Sequence, residues 1–257
     1  MAKLKESVNQ NITKLPWVKP LDPPAEPVES GRPVSTESGR PEKFSKEEFL
    51  ARRIIHPGMK DIEVLNAFRE LRTSILPKID KFNSVLQVSA IKAGGGASFN
   101  ALNLAVSCTF DQHRNALLVD CNFHKPSLAK TLGIEPEAGL FDFLTNRASD
   151  IKDIIYPTSI PRLSLVPSGN ADNEEHIEFF TGENMRIFLE DVRNRYEDRI
   201  IIIDAPPLLD SADAKILSEV VDYALLVIPY KGYSSGSINK MIKAIGKDKV
   251  VGMVINN

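Results

Sequence analysis

The chain has 257 residues and a formal net charge of −2, with 32 Lys and Arg against 34 Asp and Glu. That balance gives no reason to expect nucleic-acid binding, which usually demands a basic face, and the length holds one α/β domain of ordinary size with residues to spare. Its two cysteines, Cys108 and Cys121, lie among apolar neighbours, which argues against a disulfide framework and suits a reducing compartment.

In chain order, Met1-Ala2-Lys3-Leu4-Lys5 is followed by no apolar run, so no signal peptide is expected. No later stretch reaches the ~18 apolar residues of a membrane span. Residues 1–45 hold Pro16, Pro20, Pro23, Pro24, Pro27, Pro33 and Pro41, and Glu-Ser-Gly-Arg-Pro occurs twice, at Glu29–Pro33 and Glu37–Pro41. This composition predicts a disordered, partly extended leader, with the folded domain at 46–257. Trp17, inside Leu15–Pro20, reads either as a docking peptide or as a segment folded back on the domain.

Ile62, Leu65, Phe68, Leu71 and Ile75 recur at helical spacing and predict a helix over 59–76 with one buried face. An alternating series follows. Strands are expected at 84–90, 116–120, 163–166, 200–204, 223–228 and 250–255, and helices at about 98–113, 139–144, 184–196, 212–221 and 234–245. Runs such as Ile200-Ile201-Ile202-Ile203 are apolar throughout, as strands are when helices cover both sheet faces. The expected fold is therefore α/β, a doubly wound and mainly parallel sheet of the P-loop NTPase type. Ligands in such sheets sit at the carboxyl ends of the strands.

The most informative run lies at the end of the first of these strands: Ile91-Lys92-Ala93-Gly94-Gly95-Gly96-Ala97-Ser98-Phe99. Glycines free to take positive φ, followed by a helix N-terminus, are the layout of a phosphate-cradling loop. The usual loop, G-x-x-x-x-G-K-[ST], places a lysine on the β/γ-phosphates and a hydroxyl on Mg²⁺. Here Ala97 occupies the lysine position and Ser98 keeps the hydroxyl. Two further strands end in carboxylates, Asp120 and Asp204. One such aspartate alone reads as a helix cap or turn residue; two with a glycine loop, in this order, read as a nucleotide site.

Four ordered segments carry a resemblance. They are Asn66-Ala67-Phe68-Arg69-Glu70-Leu71-Arg72-Thr73, the loop itself, Leu117-Leu118-Val119-Asp120-Cys121-Asn122-Phe123-His124-Lys125-Pro126, and Ile201–Leu209 followed by Asp213-Ala214. Residues 53–257 resemble the cytoplasmic ATPase domain of bacterial tyrosine kinases. Those proteins accompany polysaccharide co-polymerases in capsule and exopolysaccharide export, and they are similar to cell-division and plasmid-partition ATPases. The resemblance implies ATP/ADP and Mg²⁺ as cofactors. By position, Gly94, Gly95 and Gly96, with Ala97 and Phe99 beside them, would wrap the β-phosphate, and Ser98 would be a Mg²⁺ ligand. Asp120 would be the proton acceptor or a metal partner, and Asp204 would orient metal-bound water. Asn256 would read the adenine, with Asn257 as the fallback.

The departures from that pattern shape the expectation. Ala97 replaces the lysine, Phe99 stands where a small hydroxyl residue is usual, and Asn122 stands where a second Asp is usual. Asn66 replaces the Glu of the family's ring-assembly helix, and the five tyrosines form no terminal cluster. Lys92 reads either as a solvated loop residue or as the extra lysine that partition-type ATPases extend across a dimer. The resemblance thus implies an accessory protein of exopolysaccharide assembly with a degenerate nucleotide site. It would lie at the cytoplasmic side of the inner membrane through a membrane-embedded co-polymerase partner, with homo-oligomerisation possible in that family. An active tyrosine autokinase and a partition-type dimerising ATPase are the alternatives.

Overall fold

The apolar runs become strands wherever helices seal both faces. The computed structural model describes residues 12–14, 43–79, 83–170, 183–195, 199–231 and 233–256. Its strands are β1 (Ile12–Lys14), β2 (Val85–Ala90), β3 (Asn115–Asp120), β4 (Tyr156–Pro157), β5 (Leu163–Val166), β6 (Arg199–Asp204), β7 (Tyr223–Pro229) and β8 (Val250–Asn256). The helices are α1 (Lys46–Ala51), α2 (Ile62–Ile75), α3 (Ala97–Cys108), α4 (Leu128–Leu132), α5 (Leu140–Leu144), α6 (Glu183–Arg195), α7 (Ala212–Val220) and α8 (Ser235–Ile245). One sheet runs β1-β8-β7-β2-β6-β3-β5-β4. Every pairing is parallel except β4 with β5. This is the expected doubly wound P-loop architecture.

Alternation within each strand splits the core. Ile200 and Ile202 of β6 join Leu86, Val88 and Leu118 in the layer under α2 and α3. Ile201 and Ile203 face the other way, toward Phe141 of α5 and Phe188 of α6. β2 lies at the centre, between β6 and β7, so the loop that follows it opens between two carboxyl-terminal strand ends.

Three features differ from the sequence reading. Residues 12–14 pair in parallel with β8, Ile12 opposite Met253, so the leader expected to be disordered contributes an edge strand. Trp17 lies outside the described residues. The domain also starts earlier than 46, because Phe44 packs on Phe49 at 5.5 Å and its ring takes the Arg52 guanidinium at 4.7 Å. Here the signal was present: Ser45 and Glu48 form a reciprocal capping box that starts α1. Finally, α3 ends at Cys108 rather than near His113, because the Asp111 carboxylate accepts the His113 N–H at 3.0 Å and competes with helix continuation.

Helix α2 is fastened to α3 by polar bonds as well as packing. Arg72 donates to the Ser107 carbonyl at 2.7 Å, the Ser107 hydroxyl donates to the Phe68 carbonyl, and the Phe68 ring meets Phe99 edge-on at 5.8 Å. Among the described residues no helix is long and apolar enough to cross a membrane.

Phe68 is fully buried at this junction. Phe68→Ala is expected to lower the unfolding free energy by about 3–5 kcal/mol, measured by denaturant titration. A loss below about 1 kcal/mol would mean that α2 packs only loosely on the helix behind the glycine loop.

Candidate functional site: a glycine-loop cleft

Loop 91–96 is shaped by its glycines. Gly94 has φ 72° and Gly96 has φ 90°, both in the left-handed region that favours glycine. At Gly95 a Cβ would lie 2.7 Å from the Ala90 Cβ and 2.9 Å from the Lys92 carbonyl oxygen. A Cβ at Gly96 would collide with the Asn256 amide. Asn256 donates to the Gly95 carbonyl at 3.2 Å, and buried Asn100 donates to the Gly96 carbonyl at 2.8 Å and to Asn256 Oδ1 at 3.3 Å. Two side-chain amides thus hold two successive loop carbonyls. At the loop's other end the Ala93 N–H donates to Asp210 at 3.3 Å. No side chain caps the start of α3, so the uncapped first turn forms part of the wall of a cleft of about 980 Å³. An uncapped helix start of this kind is an anion seat.

Lys92, Gly94, Gly95, Gly96, Ala97, Ser98 and Phe99 line the cleft together with Asn122, His124, Lys125, Pro206, Asp210 and Asp213. Phe99 also packs edge-on against Phe68, so its ring is shared between core and cleft and the cavity stays open. Lys92 is exposed on the rim.

Asp120 and Asp204 are brought together at the ends of adjacent strands, directly opposite in register. Both are buried, and their surroundings differ. Asp120 accepts backbone N–H bonds from Asn122 at 3.1 Å and from Ser127 and Leu128 at 3.2 Å. Burial pushes its carboxyl up to about 6, against the pull of those three donors. Neither oxygen of Asp204 has a hydrogen-bond partner. Burial first, then the Asp120 charge, raise its carboxyl well above the ordinary range, and the neighbouring Ser98 hydroxyl, short of a completed bond, only opposes this.

These residues fit Mg²⁺. An orphaned, fully buried carboxylate beside a serine hydroxyl offers hard oxygen donors to a cation. No group of three or more His, Cys, Asp or Glu forms a cation cage among the described residues. Few protein oxygens is the pattern of Mg²⁺, which keeps water and substrate phosphate in its shell.

The sequence reading missed the amide clamp from Asn100, the Asp210 tie and the pairing of His124 with Asp213. His124 and Asp213 stood inside the resemblance segments, whereas Asn100 had no local signal. Asn256, expected at the adenine, has its amide on the loop. Asn257 lies outside the described residues.

A parallel sheet whose central strand runs into a glycine loop and an uncapped helix, with acidic strand ends beside it, defines a P-loop nucleotide-binding fold. Residues 83–251 match the AAA domain family, and the chain belongs to it. It is 26% identical over 196 residues to the tyrosine-protein kinase Wzc of Salmonella typhi, covering 75% of this chain and 27% of that protein. It is 27% identical over 197 residues to the tyrosine-protein kinase YwqD of Bacillus subtilis, covering 74% of this chain and 79% of that protein. Among solved structures, the VpsO kinase domain superposes with a TM-score of 0.64 at 27% identity, over 75% of this chain and 94% of that one. The resemblance to bacterial tyrosine kinases therefore stands, and the chain spans only about a quarter of the length of Wzc, 27%.

The carboxylate pair has a pH signature. An acid whose folded pKa is raised binds its proton more tightly in the folded chain. Its contribution is full below the unfolded value of about 3.9 and is lost as pH rises through the folded value, about 6 for Asp120. Asp204→Asn removes the buried ionisable carboxyl, and in the absence of metal it should stabilise the protein at neutral pH by about 1–3 kcal/mol. The gain should shrink toward acid pH in thermal unfolding scans. A variant less stable than wild type at neutral pH would contradict the buried-charge reading.

Proposed function

We propose that the chain is a nucleotide-binding accessory protein of bacterial capsule or exopolysaccharide synthesis and export, with phosphotransfer weak or absent. One observation carries the reading: an open glycine loop and an unpartnered Asp204 coexist with Ala97 in the lysine position. The relatives are tyrosine kinases by name, and their shared chemistry is nucleotide handling.

In this reading the backbone of residues 94–99 seats the phosphates of ATP or ADP, and Asn100 and Asn256 keep the loop carbonyls engaged. Ser98 and Asp204 would hold Mg²⁺, with Asp120 next to them, and the metal when bound supplies positive charge at the phosphates. Asp120 is a poor proton acceptor here, since its oxygens already hold three N–H groups. Loss of one preorganised transition-state donor costs about 10²–10³ in rate, which is why transfer to tyrosine is weak. The partner is a membrane-embedded polysaccharide co-polymerase, which places the chain at the cytoplasmic face of the membrane.

Calorimetric titration with Mg²⁺-ATP and Mg²⁺-ADP is expected to give saturable binding, tightened about tenfold by Ala97→Lys. Labelled ATP is expected to leave little phosphotyrosine. Strong phosphotyrosine that disappears in Asp120→Ala would establish an active autokinase instead, and no heat with either nucleotide would leave a purely structural surface.

The exposure of Lys92 on the cleft rim favours one second reading, a partition-type ATPase that dimerises on ATP. Light scattering tests it: a nucleotide-dependent rise in mass, lost in Lys92→Ala, would support dimerisation, and a constant mass would remove it.

A further inference from the structure

We propose that Asp210 sets the length of phosphate chain this cleft accepts: its carboxylate occupies the Ala93 N–H of the glycine loop and opposes a terminal phosphate there, so the site prefers ADP to ATP. The inference rests on the nucleotide reading above and names the substrate class of that same site.

Segment 205–210 is stitched along residues 88–93, bond after bond. The Ala205 N–H donates to the Val88 carbonyl at 3.0 Å, the Ser89 hydroxyl to the Pro206 carbonyl at 2.6 Å, and the Leu208 N–H to the Ala90 carbonyl at 2.9 Å. The Ala93 N–H then donates to Asp210 Oδ2 at 3.3 Å. The stitching of β2 to β6 thus runs on past both strand ends, and a side-chain oxygen makes its last bond.

The turn that carries this side chain is anchored. Pro206 and Pro207 restrict the backbone before it, and Leu208 is fully buried in a cluster with Ile91 and Ala214. Beyond it the Ser211 N–H donates to the Pro207 carbonyl at 3.0 Å, and the Ser211 hydroxyl accepts the Asp213 N–H at the start of α7. Asp210 itself is exposed and lines the cleft with Ala93. A fixed backbone therefore holds a carboxylate against an amide of the loop that would otherwise face an anion.

Its position decides which phosphate it meets. In the sheet, β6 flanks β2 on one side and β7 on the other. Asp210 follows β6, the strand that ends in Asp204, so it stands on the side of the loop where Ser98 and Asp204 would hold Mg²⁺. A phosphate chain that begins at the start of α3 and extends toward that side brings its last phosphate to Ala93. There the N–H is already engaged, by a group of like charge. The bond is long for an N–H···O contact, so the charge rather than the bond opposes the ligand. Ala97 offers no ammonium to offset it. Asp213, the other carboxylate of the lining, meets His124 at 3.1 Å instead of the loop. Lys92 and Lys125 are exposed on long flexible stems, whereas Asp210 is fixed by its turn.

The test is calorimetry on the full chain with Mg²⁺ and ATP, ADP or AMP. Wild type is expected to bind ADP more tightly than ATP. Asp210→Asn, which keeps an acceptor for the Ala93 N–H and removes the charge, is expected to tighten ATP about tenfold, with a smaller gain for ADP and none for AMP. Asp210→Glu keeps the charge and should retain the wild-type order. Because Asp210 is exposed, the gain for ATP should shrink between about 0.05 and about 0.5 M salt, a dependence that a merely disturbed turn would not produce. Circular dichroism confirms that each variant is folded. An unchanged ATP-to-ADP ratio in Asp210→Asn, or weaker ATP binding that would assign the carboxylate to the metal, overturns this inference and leaves the nucleotide reading intact. No nucleotide binding by wild type or by either variant overturns both.

Discussion

Two carboxylates on neighbouring strands, directly opposite in register and cut off from water, set the constraint around which this site is organised. In a low dielectric, like charges this close cannot both ionise without help. The fold supplies different help to each. Asp120 receives three backbone N–H groups and serves to brace the arch that follows β3. Asp204 receives none, which leaves a buried, unpartnered carboxyl beside Ser98, where a cation has most to contribute. Position 97 places a methyl group, not an ammonium, next to this demand.

The glycine loop answers a different requirement. A phosphate seat built from main chain needs its carbonyls occupied elsewhere, and the Asn100–Asn256 amide pair holds those of Gly95 and Gly96. One amide comes from the helix after the loop and the other from the last strand. The seat therefore depends on β8 and β2 being held at either side of β7. Packing farther away matters for the same reason: α2 presses on α3 through Phe68 and Phe99, and Arg72 bonds the carbonyl of Ser107 near the end of α3. Core packing and anion seat are thus one mechanical unit.

How much was legible can be judged element by element. The central strands and the order of glycine loop, Asp120 and Asp204 were readable because uninterrupted apolar runs ending in polar residues have few other uses in an α/β chain. The α1 capping box is written in Ser45-Lys46-Glu47-Glu48, but the proline-rich stretch before it masks the helix start. The end of α3 was misjudged because Asp111 diverts the backbone through a local bond that no hydrophobic period reports. β1 was hidden for another reason. A three-residue edge strand has almost no pattern of its own and exists through its pairing with β8.

By itself the sequence determined the layer architecture, the place of the phosphate loop and the absence of its lysine, since these follow from period, glycine chemistry and side-chain identity at fixed spacing. Tertiary structure alone decided which aspartate is braced and which is bare, that Asn256 spends its amide on the loop, and that His124 rests on Asp213. The last two depend on contacts between residues 89 and 161 positions apart in the chain, whereas Asp120 is braced by N–H groups 2 to 8 positions away. Only the assembled sheet brings such far-apart partners within bonding distance, and burial then sets the strength of the charges it traps.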